Sequence, residues 1–125
     1  MGMASSTAER LRAKALAALM RWASFAERYW LEMPDRPELG CFGTGYDAWG
    51  VQTNQKCLAA CAVLAAEPDF DPRAAGMSRE VLRDRALRAL RYSLATHRSG
   101  DSPRTDGSRW GCTWISALGI ERMMH

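Results

Sequence analysis

Two stretches of this chain share a layout that could form a binding site for a sugar. In each, a loop containing Gly and Asp leads to a Trp-Gly pair, Trp49-Gly50 or Trp110-Gly111, and then to small apolar residues. Trp114 follows the second pair by one helical turn. Aromatic rings pack against the apolar faces of sugar rings, and a few polar groups orient the ligand. The alternative is that these tryptophans fill the core where the loops end.

Polar residues beside both pairs are candidates for contact with such a ligand. Gln52 and Gln55 belong to the polar start of the segment after Trp49, and Arg109 directly precedes Trp110. Arg suits carboxylates because its guanidinium donates two parallel hydrogen bonds. The substrate-binding residues predicted from the sequence are Trp49, Gln52, Gln55, Arg109 and Trp114.

Two carboxylates occupy related places before the Trp-Gly pairs, Asp47 and Asp106. Two acids flanking a glycosidic bond are the requirement for its hydrolysis. Asp before a helix is also a common N-cap, and the repeat itself predicts two equivalent caps. Both interpretations stay open at the level of sequence.

The cysteines do not predict a metal site. Cys57 and Cys61 are one helical turn apart, but Cys41 and Cys112 have no metal-binding spacing to them. Among Ala and Leu, a free Cys behaves as a small apolar residue. We expect no metal and no cofactor.

Composition restricts the class of protein and its partners. With 125 residues, 47% hydrophobic, 25% charged and a net charge of +3, the chain is typical of one globular domain spanning 1–125. Its basic residues form no run and no nucleic-acid motif, so no nucleic-acid partner is expected. No apolar segment predicts a membrane span or a signal peptide, so we expect a cytoplasmic location unless an upstream piece carries a signal.

The elements that would position these residues are four helices. The first is capped by Ser6 or Thr7, runs to about Leu31, and carries an apolar stripe of Leu11, Ala15, Ala18, Trp22, Phe25 and Tyr29. The third starts at Ser78 and ends near Thr96 or His97, with Leu82, Ala86, Leu90 and Leu94 on one face. Both patterns are amphipathic and indicate outer helices.

The second and fourth helices are predicted to be inner ones. The second, from about Ala48 to Ala66, becomes apolar on every side, and the fourth begins near Cys112 and continues to His125. A helix that is apolar all round has to be enclosed all round. Long loops, at about 33–47 and 99–109, join each outer helix to the next inner one.

This alternation predicts an all-α fold made of two helical hairpins in an (α/α) toroid-like array. Two hairpins do not close a toroid. We therefore expect an incomplete toroid, with the chain as the N-terminal fragment of a larger toroid protein. Its inner helices would then need further polypeptide to cover them.

The chain also resembles a known family over most of residues 40–125. The residues concerned are Trp110-Gly-Cys-Thr-Trp-Ile-Ser-Ala-Leu-Gly-Ile, Tyr92-Ser-Leu-Ala-Thr-His and Gly45-Tyr-Asp-Ala-Trp-Gly-Val-Gln-Thr-Asn. They are similar to the toroidal N-terminal part of heparinase II/III-like proteins and related polysaccharide lyases. The resemblance implies an (α/α) toroid followed by a β-rich domain, and cleavage of uronic-acid polysaccharides by β-elimination. The chain has no β-rich portion.

Elimination needs a group that neutralises the carboxylate, a base and an acid. Asn54, Gln55 or Arg109 could fill the first role by hydrogen bonding, and Tyr46 or His97 could act as base or acid. The catalytic candidates are thus Tyr46, Asn54 and His97. Each has a structural alternative: helix-end hydrogen bonds for the amides, a helix C-terminus for His97, and packing under the loop for Tyr46.

Two functional hypotheses follow. In the first, the chain is part of a carbohydrate-active toroid, its loop-to-helix junctions form one wall of a glycan cleft, and its partner is an acidic polysaccharide or oligosaccharide. In the second, it is a non-catalytic helical interaction module that forms a homo-oligomer through its inner helices or docks on a partner.

Overall fold

Helices dominate the chain, which confirms the all-α prediction in its main feature. The computed structural model describes residues 5–43 and 48–111, and of residues 48–52 it describes the backbone alone. The predicted helix from Cys112 lies outside these ranges. The elements within them are α1 Thr7–Ala26, a 3-10 turn Glu27–Tyr29, β1 Trp30–Glu32, β2 Gly40–Phe42, α2 Ala48–Ala66, α3 Pro72–Ala75 and α4 Arg79–Thr96.

Helix α1 starts where its cap was predicted. The hydroxyl of Ser6 accepts a hydrogen bond from the Glu9 backbone N–H at 3.1 Å, and the Glu9 carboxylate accepts one from the Ser6 N–H at 2.6 Å. This reciprocal capping satisfies two of the backbone donors that a helix start leaves free. The helix ends at Ala26, earlier than predicted, because the 3-10 turn redirects the chain into β1.

The predicted apolar stripe of α1 is not the face that packs into the core, except at Trp22. Leu11, Phe25 and Tyr29 are exposed. The face that packs into the core carries Met20, Ala23 and Ala26, with Leu16, Leu19 and Trp22 partly buried beside them. Since α1 has apolar residues on two adjacent faces, spacing alone could not decide which face meets α2 and α3.

A short antiparallel hairpin occupies the segment predicted to be a loop. Trp30 pairs with Phe42, and Glu32 pairs with Gly40. Strands of three residues are too short for apolar and polar residues to alternate detectably, and the prolines between them indicate a loop. All three residues of β2 are buried, because β2 packs against α4.

The indole of Trp30 fixes this hairpin to α4. The guanidinium groups of Arg85 and Arg88 lie 4.7 and 5.2 Å from the Trp30 ring centroid. The Trp30 Nε1–H donates to Glu32 at 2.8 Å, and the ring meets Phe42 edge to face at 5.0 Å. Hydrogen bonds from Arg88 and then from Trp30 lower the pKa of Glu32 to about 2.

Helices α2 and α4 run antiparallel and form the main packing pair. Helix α2 has its predicted bounds, and α4 begins as predicted after Ser78, whose hydroxyl accepts from the Val81 N–H. The Asn54 amide donates to the Ser93 hydroxyl at 3.1 Å, while Arg79 donates to the Ala65 carbonyl at 2.6 Å. The start of α2 therefore lies beside the end of α4.

Among the described residues, helix α2 is enclosed on one side only, and the sequence predicts that this chain alone does not cover it completely. Leu58, Cys61 and Leu64 are buried, whereas Ala62 and Val63 face outward. None of the helices in the described ranges is both long and apolar enough to cross a bilayer.

Candidate functional site

Asn54 joins three elements at the centre of the fold. Its side-chain oxygen accepts a hydrogen bond from the Phe42 N–H at 2.8 Å. Its amide nitrogen donates to the Ala89 carbonyl at 3.2 Å and to the Ser93 hydroxyl at 3.1 Å. Because Asn54 is 1% exposed, these bonds replace all contact with water. The arrangement favours the structural alternative for Asn54: it positions β2 against α2 and α4.

Trp110 closes the second Trp-Gly junction. It is 4% exposed, and its Nε1–H donates to the Ser93 carbonyl at 2.8 Å. The Trp110 carbonyl accepts from the Arg98 N–H at 2.8 Å, and the His97 ring lies edge to face at 4.8 Å. The ring of Trp110 thus packs in the interior, as the core alternative expected, and offers no free face to a sugar.

Both Trp-Gly junctions lie at one end of the α2–α4 pair. Phe42, which precedes the first junction, is bonded to Asn54, and Trp110 of the second junction is bonded to Ser93. Asn54 and Ser93 are themselves bonded to each other. The two loops that the sequence placed on one wall therefore converge at the same end of the described fold.

His97 and Arg109, two of the predicted site residues, are brought together by the loop at this end. His97 follows the last turn of α4 and is partly exposed. The Ser99 N–H donates to His97 Nδ1 at 3.1 Å, so the neutral ring carries its proton on Nε2. Arg109 is exposed and donates to the Gly100 carbonyl, one residue beyond Ser99.

Gln55, which was predicted to contact a ligand, is completely buried in the described fold. It is 0% exposed, and within the described part of the chain neither its amide oxygen nor its amide nitrogen has a hydrogen-bond partner. A buried polar group without a partner loses its hydration without compensation. Gln55 is therefore a source of instability in the described fold.

We expect Gln55→Met, which has a similar shape, to raise the free energy of unfolding by about 1–2 kcal/mol. Urea unfolding followed by circular dichroism measures the change, with the exposed Lys56→Met as the control. A loss of stability of the same size would contradict this expectation, because it would mean that the amide has a partner outside the described residues.

Four predicted site residues fall where the structure gives no side-chain description: Tyr46, Trp49, Gln52 and Trp114. Of the two carboxylates, Asp47 is also outside the described residues. Asp106 is exposed and accepts from the Ser108 N–H at 3.0 Å and from its hydroxyl at 2.6 Å. These bonds lower the pKa of Asp106 and give it a local role in the turn.

A polar cleft next to the His97 loop contains two residues that the sequence did not single out, Arg36 and Arg91. It has a volume of about 490 Å³ and is lined by Arg36, Glu38, Leu39, Arg91, Leu94, Ala95, Ser99, Gly100 and Asp101. We call it the polar cleft. No motif connects its residues, because they come from the hairpin loop, from α4 and from the 99–101 loop.

The polar cleft contains two arginines and two carboxylates, so its charges sum to zero, but both carboxylates pair with Arg36. Arg36 lies 2.7 Å from Glu38 and 2.8 Å from Asp101, and these hydrogen bonds lower the pKa of both carboxyls. Arg91 makes no ion pair with any described residue. The cleft can therefore accept an anion at Arg91 without breaking an existing ion pair.

The thiols within the described ranges are packing groups. Burial raises the pKa of Cys41 and of Cys57 to about 11, and that of Cys61 to about 12. A thiol binds metal as the thiolate, which these values disfavour. No cluster of three or more potential metal ligands occurs among the residues that the structure describes.

The polar cleft thus contains one arginine, Arg91, without an ion pair among the described residues, and the partly exposed imidazole of His97 lies on the neighbouring loop. Comparison with known proteins gives no further guide to its role. No family model, curated protein or solved structure matches this chain.

Proposed function

We propose that this chain is part of a carbohydrate-binding helical protein and that an acidic oligosaccharide binds at the end where its two Trp-Gly junctions converge. The observation that carries the proposal is the polar cleft at this end, with Arg91 free of any ion pair to the described residues and Arg109 exposed on the adjoining loop. A carboxylate is the natural partner for such guanidinium groups.

The lining of the polar cleft suits a sugar acid better than a simple inorganic ion. Leu39, Leu94 and Ala95 contribute apolar groups to its lining, and Arg91 and Ser99 contribute polar ones. A pyranose ring has apolar C–H faces and polar edges, so both kinds of contact can be made together. The described Trp residues take no part in this contact.

The resemblance to heparinase II/III-like proteins supports the same ligand class. It also leads us to propose that α1, α2 and α4 belong to an (α/α) toroid in which α2 is an inner helix. Binding, rather than turnover, is the activity that we propose for this chain. Asn54 would support the site by positioning its elements, and His97 is the described candidate for proton transfer.

Isothermal titration calorimetry with a uronic-acid tetramer tests this proposal. We expect Arg91→Gln and Arg109→Gln each to weaken binding about tenfold, since a hydrogen bond to a charged group contributes about 1.5 kcal/mol. Arg21→Gln, on the exposed face of α1, is the matched control and should leave the affinity unchanged. Binding should also weaken as salt increases.

Two results would overturn the proposal. One is equal affinity for the uronic-acid tetramer and for a neutral hexose tetramer, because the arginines would then have no role. The other is unchanged affinity in both Arg variants, because the ligand would then bind elsewhere.

A second candidate function is an interaction module that forms a homo-oligomer through its inner helices. The specific observation in its favour is the outward-facing apolar surface of α2, which includes Val63. Sedimentation velocity over a range of concentrations would detect such a dimer.

A further inference from the structure

The hydroxyl of Ser99, in the lining of the polar cleft, lies against the ring of His97. Ser99 Oγ is 2.7 Å from His97 Nδ1. The Ser99 backbone N–H also donates to Nδ1, at 3.1 Å, so in the neutral ring Nδ1 carries no proton and can only accept. The Ser99 hydroxyl is therefore the donor in its bond to the ring. A hydroxyl that donates to an imidazole nitrogen is the arrangement that activates a serine nucleophile.

The His97 ring is held in one orientation by the residues that follow the loop. The Trp110 N–H and carbonyl are bonded to the two neighbours of His97, at 3.2 Å to the Thr96 carbonyl and at 2.8 Å to the Arg98 N–H. The Trp110 ring meets the imidazole edge to face. Gly111 has φ +110°, and a Cβ there would lie 2.6 Å from His97 Cδ2, so glycine lets the backbone pass close to the ring. This packing keeps Nδ1 directed at the hydroxyl, as proton transfer requires.

Arg109 supplies a positive charge next to this pair. Its guanidinium donates to the carbonyl of Gly100, the residue after Ser99. Arg109 is exposed and makes no ion pair with any residue that the structure describes. A guanidinium carries five N–H groups, so further donors are present beside Ser99. Such donors stabilise the negative oxygen that forms when a nucleophile adds to a carbonyl group.

The same cleft contains a group that can select the substrate. Ser99 is exposed, and Arg91 lines the polar cleft with it. Arg91 has no ion pair among the described residues, so a carboxylate bound to it displaces no existing partner. Guanidinium and carboxylate groups form strong, charge-assisted hydrogen bonds.

We propose that Ser99 is a nucleophile for acyl transfer and that its substrate is a small ester carrying a carboxylate, which Arg91 binds. His97 Nδ1 takes the Ser99 proton as Oγ adds to the ester carbonyl carbon, while Arg109 donates to the carbonyl oxygen. The bond to the alcohol oxygen then breaks, and the proton on Nδ1 passes to the departing alcohol. Water releases the acyl group from Ser99 by the same steps, so ester and water give acid and alcohol. This activity goes beyond glycan binding and does not depend on it.

Two 4-nitrophenyl esters test the proposal on the full chain, the monoester of succinic acid and the neutral acetate. Release of 4-nitrophenol gives the rate, and mass spectrometry of the quenched reaction locates the acyl group, which we expect on Ser99. Relative to their rates with free imidazole, we expect the succinyl ester to react about tenfold faster than the acetyl ester. Ser99→Ala should reduce both rates to that of the buffer. The matched control is Ser24→Ala, since Ser24 is exposed on α1 and its hydroxyl bonds a backbone carbonyl.

Two further variants separate the role of each partner. His97→Ala should lower both rates by about 100-fold, the size of a general-base contribution, and added imidazole should restore them. A purely structural histidine would not be replaced in this way. Arg91→Gln should remove the preference for the succinyl ester and leave the rate with the acetyl ester unchanged. Circular dichroism verifies that each variant remains folded.

Three results would overturn the proposal. The first is an acyl group found only on lysine side chains or the N-terminus, and the second is an unchanged rate in Ser99→Ala. The third is a loss of rate in His97→Ala that imidazole does not restore, because His97 would then only support the loop. An equal relative rate for the two esters overturns the assignment of an anionic substrate. The probe esters contain no sugar, so failure of glycan binding leaves these results unaffected.

Discussion

Replacing Asn54 by leucine is expected to lower the free energy of unfolding by about 3 kcal/mol, because buried polar groups lose their partners. The substitution leaves the Phe42 N–H without an acceptor and the Ser93 hydroxyl without its donor. Phe42 and Ser93 are both buried, so water does not replace the lost bonds. Urea unfolding measures the change, and the exposed Lys56→Leu is the control on the same helix.

A second variant, Asn54→Asp, separates loss of hydrogen bonds from loss of packing. It keeps the shape but directs a carboxylate at the Ala89 carbonyl, so the pKa of the new carboxyl is raised above its unfolded value. The loss in free energy of unfolding, relative to the unsubstituted chain, should be largest above the folded-state pKa of the new carboxyl. It should disappear below about pH 4, where both states are protonated. A deficit independent of pH would contradict the proposed hydrogen-bond geometry.

Gly40→Ala is expected to lower the free energy of unfolding by about 3 kcal/mol through overpacking. A Cβ on Gly40 would overlap Trp30 Cζ2 and lie 2.5 Å from Cη2. The indole has little room to move, because Arg85 and Arg88 cover its face and Glu32 accepts its N–H. The change can be measured by chemical unfolding with Trp fluorescence.

A double-mutant cycle provides the control for this prediction. Trp30→Phe shortens the ring and removes the atoms that the new methyl group would meet. In that background, Gly40→Ala should lower the free energy of unfolding by less than about 1 kcal/mol. The difference from the effect in the unsubstituted chain is the coupling energy between the two positions, and its size is typical of residues in direct contact. If Gly40→Ala lowered the free energy of unfolding equally in both backgrounds, the backbone of β2, rather than the indole, would be what excludes a side chain at Gly40.

The long helices could be predicted from the sequence because their signals are local. Ser6 and Ser78 cap α1 and α4 where a Ser precedes a helical pattern, and the apolar run that ends before Pro68 gives the end of α2. The hairpin could not be predicted. Its strands depend on contacts with α4 and on the Asn54 side chain, which are distant in sequence.

The candidate site was predictable only in part, because some of its residues are distant from one another in sequence. The sequence places His97 at the end of a helix and Arg109 at the end of the loop that follows, and in the structure they are hydrogen-bonded to Ser99 and Gly100. Arg36 and Arg91 belong to segments far apart in the chain, and only the packing of the hairpin loop on α4 brings them into one cleft. Whether Asn54 faces a ligand or the core depends on tertiary packing, which helical spacing does not specify.

Backbone amide NMR of the full chain, titrated with a uronic-acid tetramer, tests the central claim most directly. The account predicts saturable shifts concentrated at residues 36–39, 91–101 and 109, with the first half of α1 unchanged. A neutral hexose tetramer at the same concentration should produce none of them. No shifts in these segments, or the same shifts with the neutral sugar, would contradict the claim that the converging junctions form a site for an acidic glycan.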